Sequence, residues 1–145
     1  MERFIIVFVC TGNSCRSQMA EGFGRFYGSS LLDVFSAGTH PAERVDPDAI
    51  AAMKEKGIDI SGQYPKTLEE IPAKPDILIT MGCSVACPFI PSSYREDWGL
   101  EDPAGGSPEK FREVRDLIEQ KILELISELK NVKNVNELNN ILKKK

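Results

Sequence analysis

The stretch Arg3-Phe4-Ile5-Ile6-Val7-Phe8-Val9 is an unbroken run of β-branched and aromatic residues behind one arginine, which predicts a strand buried on both faces, as in a parallel sheet. Cys10-Thr11-Gly12-Asn13-Ser14-Cys15-Arg16 follows as a loop, and Ser17-Gln18-Met19-Ala20-Glu21 opens a helical pattern that continues towards Tyr27. A second short strand is expected over 33–38. The next helix has its start signal in Asp46 as N-cap with Pro47 at the first helical position, and it should stop near Gly57. A third buried strand is expected over 76–81, opening into a long loop that carries Cys83, Cys87 and Trp98, with a short fourth strand over 94–98. From Ser107-Pro108 onward, Phe111, Val114, Ile118, Ile122, Leu125, Ile126 and Leu129 recur at spacings of three and four, the stripe of an amphipathic helix packed on a core. The stretch 132–145 is rich in Asn and Lys and reads as a short appended helix or a frayed end. The expected organisation is therefore one domain over 1–131 with a tail over 132–145.

Strands alternating with helices predict a single doubly wound α/β domain, whose ligand site lies at the carboxyl ends of the strands. Cys10, Ser36 and Cys83 all fall at such ends. The chain has 145 residues, 41% of them hydrophobic and 28% charged, enough to bury a sizeable core without disulfides or a metal. Its 18 Lys and Arg against 22 Asp and Glu leave a formal charge of -4, and the basic residues form no stripe, so nucleic-acid binding through phosphates is disfavoured. The longest apolar run, 4–10, is far too short to span a bilayer, and no small-x-small cleavage site follows it. A cytoplasmic, reducing location is expected. There, Cys10, Cys15, Cys83 and Cys87 are read as catalytic, redox-cycling or metal-binding rather than as a static disulfide framework.

The loop between the first strand and helix has a definite physical logic. Successive N–H groups of Thr11, Gly12, Asn13, Ser14, Cys15, Arg16 and Ser17, ending on a helix N-terminus, make a concave nest for a tetrahedral anion. Gly12 lets the backbone come close, and the Arg16 guanidinium adds a planar fork for two anion oxygens. The same positive surroundings favour the thiolate of Cys10, a nucleophile near neutral pH, to which Ser17 can donate a hydrogen bond. Asn13 suits a left-handed turn and can brace the loop through its amide. The competing account is a buried strand-end cysteine beside a solvated arginine. The preceding strand, the Gly-Asn-Ser interior and the following helix favour the anion site.

These residues resemble the low-molecular-weight phosphotyrosine phosphatase superfamily and, within it, the thioredoxin-coupled arsenate reductases. The resemblance covers about residues 3 to 130 and is carried by Val9-Cys10-Thr11-Gly12-Asn13-Ser14-Cys15-Arg16-Ser17, Ser36-Ala37-Gly38, Lys56-Gly57-Ile58-Asp59 and Asp102-Pro103. It implies a four-stranded parallel sheet flanked by helices, Cys10 as nucleophile and Asp102 as the acid that protonates the departing oxygen. That last role also makes chemical sense, since a displaced oxygen needs a proton and an Asp-Pro turn holds a carboxyl on a stiff loop.

The resemblance further implies that a cysteine matching Cys83 attacks the Cys10–arsenic adduct, that Cys87 then attacks Cys83, and that the resulting disulfide is reduced by thioredoxin or a related thiol system. Cys15 is then structural or supportive. The substrate is arsenate, with phosphate or sulfate as competing oxyanions. No bound cofactor or metal is expected, and the protein is expected to act as a monomer. Some members bind potassium near residues matching Asn13, Glu21, Ser36 and a further carboxylate. Lys66 stands at roughly that further position here, so its ammonium is expected to replace the cation.

The principal alternative is a low-molecular-weight protein tyrosine phosphatase using Cys10, Arg16 and Asp102 alone. Against it, Ala104-Gly105-Gly106 follows Asp102-Pro103, where such phosphatases generally place aromatic residues to stack on the substrate ring. Two rivals come from other classes. Four cysteines in two close pairs suit a structural zinc site, which gives no reason for Arg16 or Ser17, and a non-catalytic anion sensor has no use for Cys83 and Cys87. The single histidine, His40, reads as a solvent-facing loop residue, and Tyr94 and Trp98 as packing residues.

Overall fold

The computed structural model describes residues 3–82 and 90–142. Four strands, β1 (Phe4–Cys10), β2 (Leu32–Gly38), β3 (Ile77–Thr80) and β4 (Tyr94–Asp97), form one sheet in the order β2-β1-β3-β4, and every pairing is parallel. Between them run α1 (Arg16–Gly28) and α2 (Pro47–Lys54), and after β4 come α3 (Pro108–Leu129) and the short α4 (Leu138–Leu142). This is the expected sheet flanked by helices. Because β1 leads outward to β2 on one side while β3 lies on the other, the strand order reverses at β1. The crevice at the carboxyl end of β1 is where a ligand site belongs in such a sheet.

Alternation along β1 divides the interior. Phe4, Ile6 and Phe8 are fully buried in the large core shared with α1, α2 and α3, whereas Val7 and Val9 join Ala37, Ile71 and Leu78 in a smaller core on the other face. Each fully buried Ile or Phe contributes ~1.5–3 kcal/mol relative to exposure, so both faces of β1 hold it in register. The α3 stripe from Phe111 to Leu129 faces the large core, as its spacing predicts. Helix α1 carries glycines on its contact face, where a side chain would have no room. A Cβ at Gly22 would stand 2.7 Å from Ile60 Cγ2, and one at Gly28 2.7 Å from Leu32 Cδ1.

The helix boundaries follow from local chemistry. Asp46 caps α2 by accepting the Asp48 N–H, with Pro47 next. The helix closes in a Schellman motif, Ile58 N–H to Met53 O and Gly57 N–H to Lys54 O, with Gly57 at φ 77°. Ser107 caps α3 in the same way as Asp46 caps α2, accepting the Lys110 N–H ahead of Pro108. In the segment after α3, Leu138 and Leu142 of α4 are buried against the large core. Trp98 and Tyr94 are packing residues, Trp98 lying 5.8 Å from the Phe8 ring.

Candidate active site

Cys10 ends β1, and the six residues after it wrap around its sulfur. What shapes this loop is a strap from the segment that follows β2. Thr39 N–H donates to Cys10 O, His40 N–H to Thr11 O, Ala42 N–H to Gly12 O and Asp46 N–H to Ser14 O. The Gln18 side-chain amide takes Asn13 O, and Met19 N–H takes Cys15 O. Every carbonyl from Cys10 to Cys15 is thus held on the outside of the loop. No cis peptide occurs among the described residues, and in a planar trans peptide the N–H points opposite to the C=O. The N–H groups of residues 11–16 therefore turn inward, which builds the anion nest. One of them, Asn13 N–H, already points at Cys10 Sγ at 3.1 Å.

Asn13 is the one described non-glycine residue with positive φ, 50°, and the structure shows what holds it there. Its Oδ1 accepts the Lys66 backbone N–H at 2.8 Å, which fixes the amide so that Nδ2 donates to Ser17 Oγ at 2.7 Å and to Ser36 Oγ at 3.0 Å. Ser17 Oγ, with one lone pair so occupied, lies 2.8 Å from Cys10 Sγ and donates to it when Cys10 is a thiolate. Ser36 likewise passes its hydrogen to Glu21 Oε1 at 2.5 Å. A continuous buried chain runs from Glu21 through Ser36, Asn13 and Ser17 to Cys10.

Glu21, 2% exposed at its side chain, is paired with Arg25 at 2.9 Å and with Lys66 Nζ at 3.4 Å. Lys66 Nζ also donates to Tyr64 O and stands 4.7 Å from the Tyr64 ring centre. The Lys66 ammonium thus puts a positive charge on Glu21, one of the residues that the resemblance implies some members use to hold potassium. The residues present do not fit a second cation. Gly38 closes the same corner, since a Cβ there would stand 2.6 Å from Thr11 O and 3.0 Å from Asn13 N.

The Arg16 fork differs from expectation in one respect. Its Nη1 is committed to two backbone carbonyls, Met81 O at 2.5 Å just after β3 and Leu100 O at 2.9 Å after β4. The edge left for an anion is Nε with Nη2, and Nη2 lies 3.9 Å from Asp102 Oδ2. Asp102 is 56% exposed at its side chain and turns its own loop by accepting Ala104 N–H, so it stands at the mouth of the nest. Cys15 faces away from that mouth, its thiol donating to Asp46 Oδ2 at 3.4 Å. Burial pushes the Cys15 thiol up to about 12, with repulsion from Asp46 adding to it. At neutral pH it is a neutral thiol.

Of the residues expected from sequence, Cys10, Thr11, Gly12, Asn13, Ser14, Cys15, Arg16, Ser17 and Asp102 are brought together at the end of β1. Cys83 and Cys87 lie outside the described residues. Sequence reading did not find the strap over 39–46, the Gln18 bond, the Met81 and Leu100 carbonyls on Arg16, or the Cys15–Asp46 contact. All are backbone or long-range pairings without a motif. His40 is exposed on the strap, as expected.

The model of a family described as low molecular weight phosphotyrosine protein phosphatase matches residues 5–135. The chain is similar to an arsenate reductase of Halalkalibacterium halodurans, 48% identical over 132 residues, covering 84% of this chain and 94% of that one. It is also similar to a glutaredoxin arsenate reductase of Synechocystis sp., 44% identical over 128 residues, covering 86% and 97%. Among solved structures, an arsenate reductase in a phosphate-binding state superposes with a TM-score of 0.79 at 44% identity, covering 86% of this chain and 97% of that one.

Proposed function

The chain belongs to the low molecular weight phosphotyrosine protein phosphatase family, and from that premise we infer that it is an arsenate reductase, converting arsenate to arsenite. The observation that carries the chemistry is the loop itself: carbonyls of Cys10 to Cys15 held outward, Asn13 N–H on Cys10 Sγ with Ser17 Oγ 2.8 Å from it, and the Nε–Nη2 edge of Arg16 without a hydrogen bond to the other described residues. A tetrahedral oxyanion seated there meets the sulfur directly.

In the first step the Cys10 thiolate attacks arsenic, an S–As bond forms, and an arsenate oxygen departs as water. Asp102, at the mouth beside Arg16, supplies the proton. The Arg16 edge and the loop amides neutralise the oxyanion. In the second step the Cys83 thiolate attacks Cys10 Sγ. The S–S bond forms as S–As breaks, the electron pair stays on arsenic, and As(V) leaves as arsenite, As(III), after taking up a proton. Cys87 then attacks Cys83, restoring the Cys10 thiolate and leaving a Cys83–Cys87 disulfide. A thiol reductant of the thioredoxin or glutaredoxin class reduces it in turn. No bound cofactor enters this scheme.

The feature that favours a reductase over a tyrosine phosphatase is the surface next to Asp102. Ala104, Gly105 and Gly106 are exposed there, and a Cβ at Gly105 would meet nothing within 4 Å, so this stretch gives no platform for a phenyl ring. The test is the disulfide that accumulates in Cys87→Ser. With arsenate and no external reductant, peptide mapping should find Cys10 joined to Cys83. Arsenite released without that disulfide would refute the relay.

Among the described residues, no helix is long and apolar enough to cross a membrane.

A further inference from the structure

The chain leaves the sheet at the end of β3 immediately before Cys83, and the exit is held on several sides. Met81 N–H donates to Val9 O at 3.0 Å, extending the β1–β3 ladder by one residue, and Met81 O accepts from Arg16. Asp97, the last residue of β4, completes the hold. Its Oδ1 accepts both Thr80 Oγ1 at 2.6 Å and Gly82 N–H at 2.8 Å. Gly82 sits at φ 95°, where a Cβ would stand 3.1 Å from Leu100 O and 3.2 Å from Leu100 N. The backbone there is thus pressed against the stretch leading to Asp102, in a conformation that glycine alone adopts at low cost. Both Asp97 bonds run to the end of β3, and neither reaches Cys10 or Arg16.

We propose that Asp97 is a positioning residue for the second step of the reduction: by holding Thr80 Oγ1 and Gly82 N–H it sets the direction in which the chain departs one residue before Cys83, and so the delivery of the Cys83 thiolate to Cys10. Both bonds end on Oδ1 and fix the end of β3 together with the residue before Cys83. The step it serves forms the Cys10–Cys83 bond as the Cys10 S–As bond breaks and the pair stays on arsenic. This inference rests on the relay described under Proposed function. The first step, which uses Cys10, Arg16 and Asp102, does not depend on it.

The experiment mixes fully reduced protein with arsenate in the absence of external reductant. It follows the Cys10–Cys83 disulfide and released arsenite in time, beside the phosphate concentration that protects Cys10 from iodoacetamide. Asp97→Ala should slow disulfide formation on the order of tenfold or more with phosphate protection unchanged, while Asp97→Asn, which keeps Oδ1 as an acceptor, stays close to the parent. Thr80→Val, which keeps the Gly82 bond, should fall between them and serves if the alanine variant does not fold. Parental rates in Asp97→Ala, or equal losses of phosphate protection and disulfide formation, would overturn the proposal. Cys83→Ser separates the two layers of argument. If it is inert while Asp97→Ala is normal, Asp97 alone is refuted, and if it releases arsenite at the parental rate, the relay fails and Asp97 with it.

Discussion

The Lys66 ammonium lies 3.4 Å from the Glu21 carboxylate, with only 10% and 2% of the two side chains exposed. A charge held this deep requires a partner, and Glu21 is the far end of the chain that reaches Cys10 through Ser36, Asn13 and Ser17. Lys66→Met leaves Glu21 with Arg25 as its one remaining cation among the described residues. It should destabilise the protein by about 1–3 kcal/mol in urea unfolding and slow Cys10 alkylation by iodoacetamide, with Lys66→Arg recovering part of both.

Asp102 touches Arg16 only at 3.9 Å and is largely solvated, so its loss should spare the anion nest. Asp102→Asn is expected to slow adduct formation by about 10²-fold, read as single-turnover arsenite release, while phosphate still protects Cys10. An unchanged rate would remove Asp102 from the mechanism.

Gly38 abuts the loop so closely that a methyl group has no room, 2.6 Å from Thr11 O. Gly38→Ala should cost about 1–3 kcal/mol through overpacking and should also displace the inward amides. Phosphate binding, measured by calorimetry, should weaken together with turnover.

Burial raises Cys15 from 9.0 to about 12, which has a consequence for stability at alkaline pH. Between those values the unfolded chain has released this proton and the folded chain has not, so folding stability must fall as pH rises through that window. In Cys15→Ala the thiol's share of that fall disappears. Urea unfolding at pH 8 and pH 10 should show a smaller difference in the variant than in the parent. The same raised value keeps Cys15 unreactive, so limited iodoacetamide at neutral pH should label Cys10 and leave Cys15 untouched.

Much of this site was legible because its chemistry is local. The strand, loop and helix around Cys10 to Ser17 follow one another in the chain, and the caps Asp46-Pro47 and Ser107-Pro108 each act within a few residues. The α3 stripe states its own buried face. What could not be read were pairings set by the sheet. That Arg16 gives one nitrogen to Met81 and Leu100 depends on β1, β3 and β4 ending side by side. The strap over 39–46 acts through its backbone N–H groups, which all its non-proline residues possess, and so carries no signature in residue type. Lys66 was legible only as the residue standing where relatives place a carboxylate. Its contact with Glu21 depends on the backbone bridge that joins the Lys66-Thr67 segment to Gly38.

The central claim is that Cys10 works with two further thiols to reduce arsenate rather than alone to hydrolyse phosphate esters. The most direct test is arsenate-dependent NADPH consumption by the pure protein with thioredoxin and thioredoxin reductase, or with the glutaredoxin system, run beside para-nitrophenyl phosphate hydrolysis. Arsenate-dependent oxidation that is lost in Cys10→Ser, Cys83→Ser and Cys87→Ser is the expected result. Hydrolysis of the phosphate ester with no arsenate-dependent oxidation in either system would contradict the account.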